Sequence, residues 1–455
     1  MMIVSKQHQI FFDFLRFCIG SESEIPFSLK EADWKELYRI AQKQCLVGIL
    51  FDGILKLPPA EVGMIKDLLL QWMMQCQMLE KANVRLNDAA IQVSEWFRKK
   101  GFRTCILKGQ GNALLYPNGL HRTPGDIDIW VEGGDKRVIS FVRSISPHEK
   151  ACYHHIEFPS YKGVEVEVHY RPSFLLCFWH DRKLQKYYDR VKEEQFSHRV
   201  MLGEQGEIAI PKVEFNLIFQ LTHIFAHLMN EGIGLRQLLD YYYVLCDFYK
   251  VYQKSSKITP SLFTLKKGDF SNHPVPLSKE GSTSHPSPLS SEERDVTALW
   301  CSEPLRYNDG GPSKVSPDCA GWDRLEMSGE MASDCAGAAL DRVQKELKKL
   351  GLWKFAGAIM YIMQEVFGMP ASRLIVPPNE KYGRFVLNEV LEAGNFGKHD
   401  ARNRFGKSKL GHNLQRVYRD IRLVRYFPAE AMSEPFFRVW HFFWRLRWDF
   451  TYRLR

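Results

Sequence analysis

The chain reads as an α+β protein, with a small mixed-sheet core embedded in mainly helical N- and C-terminal regions. Three observations predict this. Two short segments, 126–131 and 164–169, alternate apolar and polar residues with the period of a strand. Long stretches on either side of them repeat apolar residues with the period of a helix. Gly101, a residue suited to closing a helix, separates the first helical stretch from the first strand-like one.

Taken in order, residues 1–100 form a helical N-terminal region. Trp34 to Ala41 is helical in pattern, and Met64 to Lys100 is a long helix stopped by Gly101. Residues 101–175 form the α/β core. Here Thr104-Cys105-Ile106-Leu107 is a short buried strand, followed by the turn Lys108-Gly109-Gln110-Gly111-Asn112 and a helix start at Ala113-Leu114-Leu115. A second strand covers Asp126 to Val131, a helix Asp135 to Ile145, a turn Ser160 to Gly163 and a strand Val164 to His169. Residues 176–254 are helical, with the clearest periodicity from Val213 to Phe248. Residues 338–455 are helical again, through Asp341–Leu350 and Trp353–Phe367, and end in a basic aromatic tail.

Between the helical blocks, residues 255–337 hold eight of the 22 prolines and are rich in Ser and Gly. The segment also duplicates itself, with His273-Pro274-Val275-Pro276-Leu277-Ser278 echoed by His285-Pro286-Ser287-Pro288-Leu289-Ser290. Such a composition buries too little apolar surface to offset chain ordering, and it is expected to be a disordered insertion.

At 455 residues, 45% hydrophobic and 25% charged, the composition is that of a water-soluble protein with room for two or three domains. No run approaches the ~18 apolar residues of a membrane span, and the first twenty residues lack the pattern of a secretory signal, so a cytoplasmic location is expected. Ten cysteines without a C-x-x-C read as reduced thiols. Residues 401–455 carry thirteen Lys and Arg against four Asp and Glu, which accounts for the whole net charge of +9. In Phe436 to Trp448 aromatics and arginines interleave, a mixture able to stack on nucleic-acid bases or to lie on an anionic surface. The plainer reading packs the face made by Trp440, Trp444 and Trp448, which recur every four residues, against the protein.

The chemistry is concentrated between Leu107 and His169. In a strand, Asp126 and Asp128 share one face while Ile127, Ile129 and Val131 share the other. The segment Val164-Glu165-Val166-Glu167-Val168-His169 likewise sets Glu165, Glu167 and His169 opposite three valines. Bringing these acidic faces together crowds like charges, which calls for a cation between them. On the same argument, replacing Asp128 by Asn is expected to relieve the metal-free fold. Oxygen ligands without a nearby cysteine suit Mg²⁺ (or Mn²⁺) rather than zinc, and paired metals of this kind serve displacement at phosphorus. A strand, a glycine turn and a helix start form a phosphate-cradling order, with Lys108 or Arg122 positioned to add positive charge. The spacing excludes a Walker loop and a dinucleotide fingerprint.

Together, L-K-G at 107–109, L-Y-P at 115–117, R-x-x-G-D-I-D-I-W-V from Arg122 and E-V-H-Y-R from Glu167 resemble the uncharacterised bacterial nucleotidyltransferase family. That family lies within the superfamily whose best-known fold is that of DNA polymerase beta. The resemblance extends to His223–His227, Leu235–Asp240 and Gly394–Gly397. It implies a nucleotidyltransferase core with Asp126, Asp128 and Glu167 as catalytic metal ligands. It also implies a nucleotide site at Lys108, Gly109, Gln110 and Arg122, and a reaction that moves an NMP from an NTP such as ATP to a hydroxyl acceptor with release of pyrophosphate. Where Gln110 stands, many superfamily members have Gly or Ser, which removes a side-chain phosphate contact but not a backbone one. Two other readings stay open: a nucleic-acid-directed enzyme or binder using the 401–455 tail, and a non-catalytic nucleotide sensor of the same fold.

Secondary candidates have plainer readings beside them. Glu165 shares a face with Glu167 and is its alternative as third carboxylate. His169 reads as a supporting histidine beside the carboxylates. His223 and His227 are one helical turn apart, but without the glutamate of H-E-x-x-H they read as hydrogen-bonded packing. Arg236 and Asp240, also four apart, read as a helix-face ion pair, with nucleotide or acceptor contact as the sharper alternative.

Overall fold

The structure, a computed structural model, describes residues 5–58, 64–204, 206–255, 330–402 and 409–453. Four helices come first: α1 (Lys6–Ile19), α2 (Trp34–Gln44), α3 (Val47–Ile54) and the long α4 (Lys66–Lys99). Asp33 caps α2 by accepting from the backbone N–H groups of Lys35 and Glu36, which satisfies two of its orphan donors.

The core follows as β1 (Thr104–Leu107), α5 (Gly109–Ala113), β2 (Ile127–Val131), α6 (Gly134–Ile145), β3 (His155–Tyr161) and β4 (Val164–His169). The sheet order is β1-β2-β4-β3; β2 and β4 run parallel and the other pairs antiparallel. The period-two alternation sorts the side chains as its spacing predicts. Ile106, Ile127, Ile129, Val131, Val164, Val166 and Val168 join one apolar layer with Leu86, Val93, Trp96 and Phe97 of α4 and Val138, Ile139 and Val142 of α6. On the opposite face, Cys105, Leu107 and Trp130 join the larger core that holds the helices. Asp128, Glu167 and His169 therefore face the helical part of the molecule.

Two elements were not foreseen. Strand β3 contains Pro159, which breaks the ladder where the register shifts between Phe158 and Tyr161. The expected turn at 160–163 is its exit, made by Lys162 (φ 49°) and Gly163 (φ 76°). A two-stranded hairpin, β5 (Arg199–Leu202) and β6 (Gly206–Ala209), interrupts the region read as helical. A third difference is local: α5 begins at Gly109 and ends at Ala113, where the helix was expected to start.

The remaining described helices are α7 (Phe178–Ser197), α8 (Val213–Asn230), α9 (Leu235–Ser255), α10 (Glu330–Lys349), α11 (Trp353–Glu365), α12 (Glu380–Ala393), α13 (Lys409–Leu423) and α14 (Pro428–Arg453). Of the segment read as an insertion, residues 256–329 lie outside the described residues, and α10 begins at Glu330. One buried core joins α1–α3 to α8–α12. Gln44 stitches these parts, its amide donating to the Val390 carbonyl at 3.1 Å and accepting from the Leu235 N–H at 2.8 Å. In α14, Trp444 and Trp448 pack against the sheet-side core, and Arg143 pairs with Asp449 at 2.9 Å. The other side of that helix leaves Phe436, Val439, Phe443 and Leu446 exposed. No helix among the described residues is long and apolar enough to cross a membrane.

The α4–sheet interface rests on Phe97, fully buried with its ring 5.5–6.3 Å from those of Phe102, Phe141 and Phe158. Phe97→Ala is expected to cost about 3–5 kcal/mol through lost burial and a cavity that the stiff sheet does not fill. Urea unfolding would show this as a lower midpoint at an unchanged slope.

Candidate active site

The parallel register sets Asp128 directly beside Glu167. Asp126 stands one residue before β2, and the three side chains each offer an oxygen to one place, all within 4.8 Å of one another. Glu165, two residues earlier on β4, is exposed and lines a separate hollow with Arg85 and Asp126. Of the two candidates for third carboxylate, Glu167 is the one in register with Asp128.

Two cations hold this acidic patch. Lys108 Nζ lies 2.8 Å from Asp128 Oδ2, and His169 Nε2 lies 2.9 Å from Asp128 Oδ1 and 3.4 Å from Glu167 Oε2. Asp128 is 2% exposed. Burial alone would raise its pKa, but Lys108 and His169 hold the carboxyl well below the usual range. Burial alone would likewise lower His169, yet its bonds to Asp128 and Glu167 raise the imidazole to about 9. The like-charge argument from sequence is thereby corrected for Asp128. Removing its charge would take the ion pair from the buried Lys108 and leave the buried His169 with Glu167 alone, which destabilises the fold rather than relieving it. Asp126 is the carboxylate under strain: the neighbouring Asp128 and burial raise its pKa, and no ion pair holds it among the described residues.

Delivering Lys108 to Asp128 requires an unusual backbone. Lys108 has φ 46° and ψ −141°, and Gly109 follows at φ 49°. A side chain at such angles is strained by about 1–3 kcal/mol, which the surrounding contacts must offset. Gly109 lines the cleft with Lys108, Asp126 and Asp128. Gln110 is buried and its amide bonds Asn87 on α4; it is not part of the cleft wall.

Helices α8 and α9 close the opposite side. Lys108 Nζ donates to His223 Nε2 at 3.0 Å, and the same ring nitrogen lies 2.8 Å from His227 Nε2, while His227 Nδ1 reaches Glu231 at 3.3 Å. The pair is thus hydrogen-bonded packing at the cleft, with Phe396 against His227. Arg122 is 2% exposed and forms a bidentate pair with Asp240 at 2.7 and 2.8 Å. This corrects the Arg236–Asp240 reading: the partner of Asp240 comes from 118 residues away, not from one turn earlier on the helix. Arg122, Arg236 and Asp240 all line the cleft.

Sequence reasoning missed His155. Its Nδ1 lies 3.2 Å from Glu167 Oε2, and it stands opposite His169 across β3 and β4. Burial lowers its pKa to about 4, so it is neutral near pH 7. The signal was the alternation of Ile156 and Phe158 behind it, masked by Pro159.

The raised pKa of His169 predicts a pH dependence. Its stabilisation is fully present below the unfolded value of about 6.5 and is lost as pH rises through about 9, on the order of 3 kcal/mol in all. Metal-free protein should therefore lose stability between pH 7 and 9.5. His169→Gln should be less stable at pH 6.5 and flatter across this window; equal slopes in denaturant titrations would refute the assignment.

The model of the uncharacterised nucleotidyltransferase family matches residues 30–252, a span holding the acidic triad, the Gly109 turn and both helices of the cleft wall. Neither the curated proteins nor the solved structures searched gave a match. A sheet presenting three convergent carboxylates beside a strained glycine turn is the feature this match covers, and residues 30–252 of the chain belong to the uncharacterised nucleotidyltransferase family.

Proposed function

We propose that the cleft transfers an NMP from an NTP to a hydroxyl of an acceptor, with release of pyrophosphate and dependence on Mg²⁺ or Mn²⁺. The observation that carries this reading is the meeting of Asp126, Asp128 and Glu167 at one point next to Gly109. The donor set fits a hard divalent cation: three carboxylates, one of them strained by its neighbours and without a cation of its own. A metal held by Asp126, Asp128 and Glu167 would neutralise phosphate charge and acidify the attacking hydroxyl.

The chain's own residues supply the rest. The Gly109 turn lets the backbone approach the phosphates closely. Lys108 and His169 keep Asp128 ionised, and His155 and His169 orient Glu167. The acceptor oxygen bonds to the α-phosphorus, the bond from that phosphorus to the bridging oxygen of the leaving pyrophosphate breaks, and Glu167 takes the hydroxyl proton.

A second reading, transfer directed to nucleic acid, is favoured by α14, on which Arg445 and Arg447 stand exposed among the exposed Phe442 and Phe443. A tail that neutralises several phosphates would make binding fall steeply with salt.

Two carboxylate variants test the main reading by their opposite effects. Asp126→Asn should leave the metal-free melting temperature equal or higher. Asp128→Asn should lower it. Both should reduce transfer of label from an α-labelled NTP into a cell extract, with Mg²⁺ present, by about a hundredfold or more. Turnover like the wild type in either variant removes that residue from the reaction and sinks the triad as described.

A further inference from the structure

Each cation on the cleft wall except one is matched by a partner. Lys108 is held by Asp128, and Arg122 by Asp240. The Tyr116 hydroxyl donates to Asp240 as well, at 2.6 Å, so that carboxylate accepts three hydrogen bonds, none of them from Arg236. Arg236 is different. It is only 7% exposed, yet no carboxylate stands within ion-pairing distance of it among the described residues. Its Nε finds no acceptor among the described residues, and the hydrogen bond from a terminal nitrogen to the Thr123 carbonyl is long, 3.5 Å.

The arginine sits on α9 and lines the same cleft as Gly109, Asp126 and Asp128. Phe396 lies over its guanidinium, 5.7 Å from the ring centre. That ring is held in place by its backbone: Phe396 adopts φ 54°, ψ 28°, and Gly397 (φ 67°) packs so tightly that a Cβ would meet the Glu231 carbonyl at 2.1 Å. Burial, and then the neighbouring Arg122, disfavour the charge on Arg236. A guanidinium stays charged under such conditions, and Asp240 favours that charge without pairing with it, so the fold bears a buried cation facing a cleft with no ion pair of its own among the described residues. Its planar fork is matched to a phosphate or carboxylate.

We propose that Arg236 is the anion receptor of the cleft, taking an oxyanion of a substrate: the polyphosphate of the NTP or an acidic group of the acceptor. The identity of the anion rests on the transfer reading. The cationic site itself does not.

A receptor and a structural arginine differ in sign. If Arg236 awaits an anion, Arg236→Gln removes an unpaired buried charge. The variant should melt at or above the wild-type temperature, while inorganic pyrophosphate, in Mg²⁺ buffer, binds at least tenfold more weakly by calorimetry. Arg236→Lys keeps the charge without the fork and should also lose several-fold in affinity, which carries the test should the Gln variant not fold.

Two arms separate the sources. Weakened binding of both pyrophosphate and Mg-nucleotides assigns the site to the polyphosphate. Unchanged nucleotide binding, with loss of the thermal protection given by glutamate or inorganic phosphate, assigns it to an acidic acceptor. A lower melting temperature with wild-type affinity for every anion overturns the proposal. Because these measurements need no turnover, they stand or fall separately from the transfer assay.

Discussion

Everything in the cleft depends on a register. Parallel pairing of β2 and β4 places Asp128 beside Glu167, two carboxylates on neighbouring strands in a largely buried setting. Like charges so placed are costly, and the structure meets the cost with Lys108, just after β1, and His169, at the end of β4. The clamp in turn dictates the backbone. Lys108 reaches Asp128 from a positive φ of 46°, and the next residue also takes a positive φ, 49°, which Gly109 tolerates. The glycine turn and the acidic patch are thus one device. Of the three carboxylates, Asp126 is the one without an ion pair among the described residues, so on the proposed reading an added divalent charge would be felt most strongly there.

The sheet could not present this face on its own. Its other side is sealed by α4 and α6, which leaves the acidic side for the helices that follow. Those helices share their core with α1–α3, through contacts such as Gln44 bridging Leu235 and Val390. The cleft wall is therefore supported from both ends of the chain. Arg122, just before β2, reaches Asp240 on α9, so the same ion pair that satisfies two buried charges also ties the sheet to the helical wall.

Much of this was legible in the sequence because it is local. Alternation over 126–131 and 164–169 told which side chains share a face, and the helical stretches followed from their periodicity. What was not legible was long-range pairing. Nothing in the spacing of Arg236 and Asp240 reveals that Arg122 takes the carboxylate first. Strand β3 was hidden by Pro159, which argues against a ladder until a bulge is allowed for. With β3 unseen, His155 had no reason to be placed opposite His169. The sign of the Asp128 substitution was wrong for the same reason: carboxylate crowding is visible from sequence, whereas the two cations that answer it belong to tertiary structure.

The result is a cleft with two unlike walls. On the sheet side, three carboxylates are nearly balanced by Lys108 and His169. On the helical side, Arg122 and Arg236 face a single carboxylate, Asp240, leaving one positive charge in excess. Such a field orients whatever enters, since an anionic group is drawn to the helical wall while a divalent cation is drawn to the sheet. On the proposed reading, the polarity of the two walls sets the direction in which a metal-bound polyphosphate lies. The Arg122–Asp240 pair fixes the distance between them, because it is both part of the helical wall and the tie that holds that wall to the sheet.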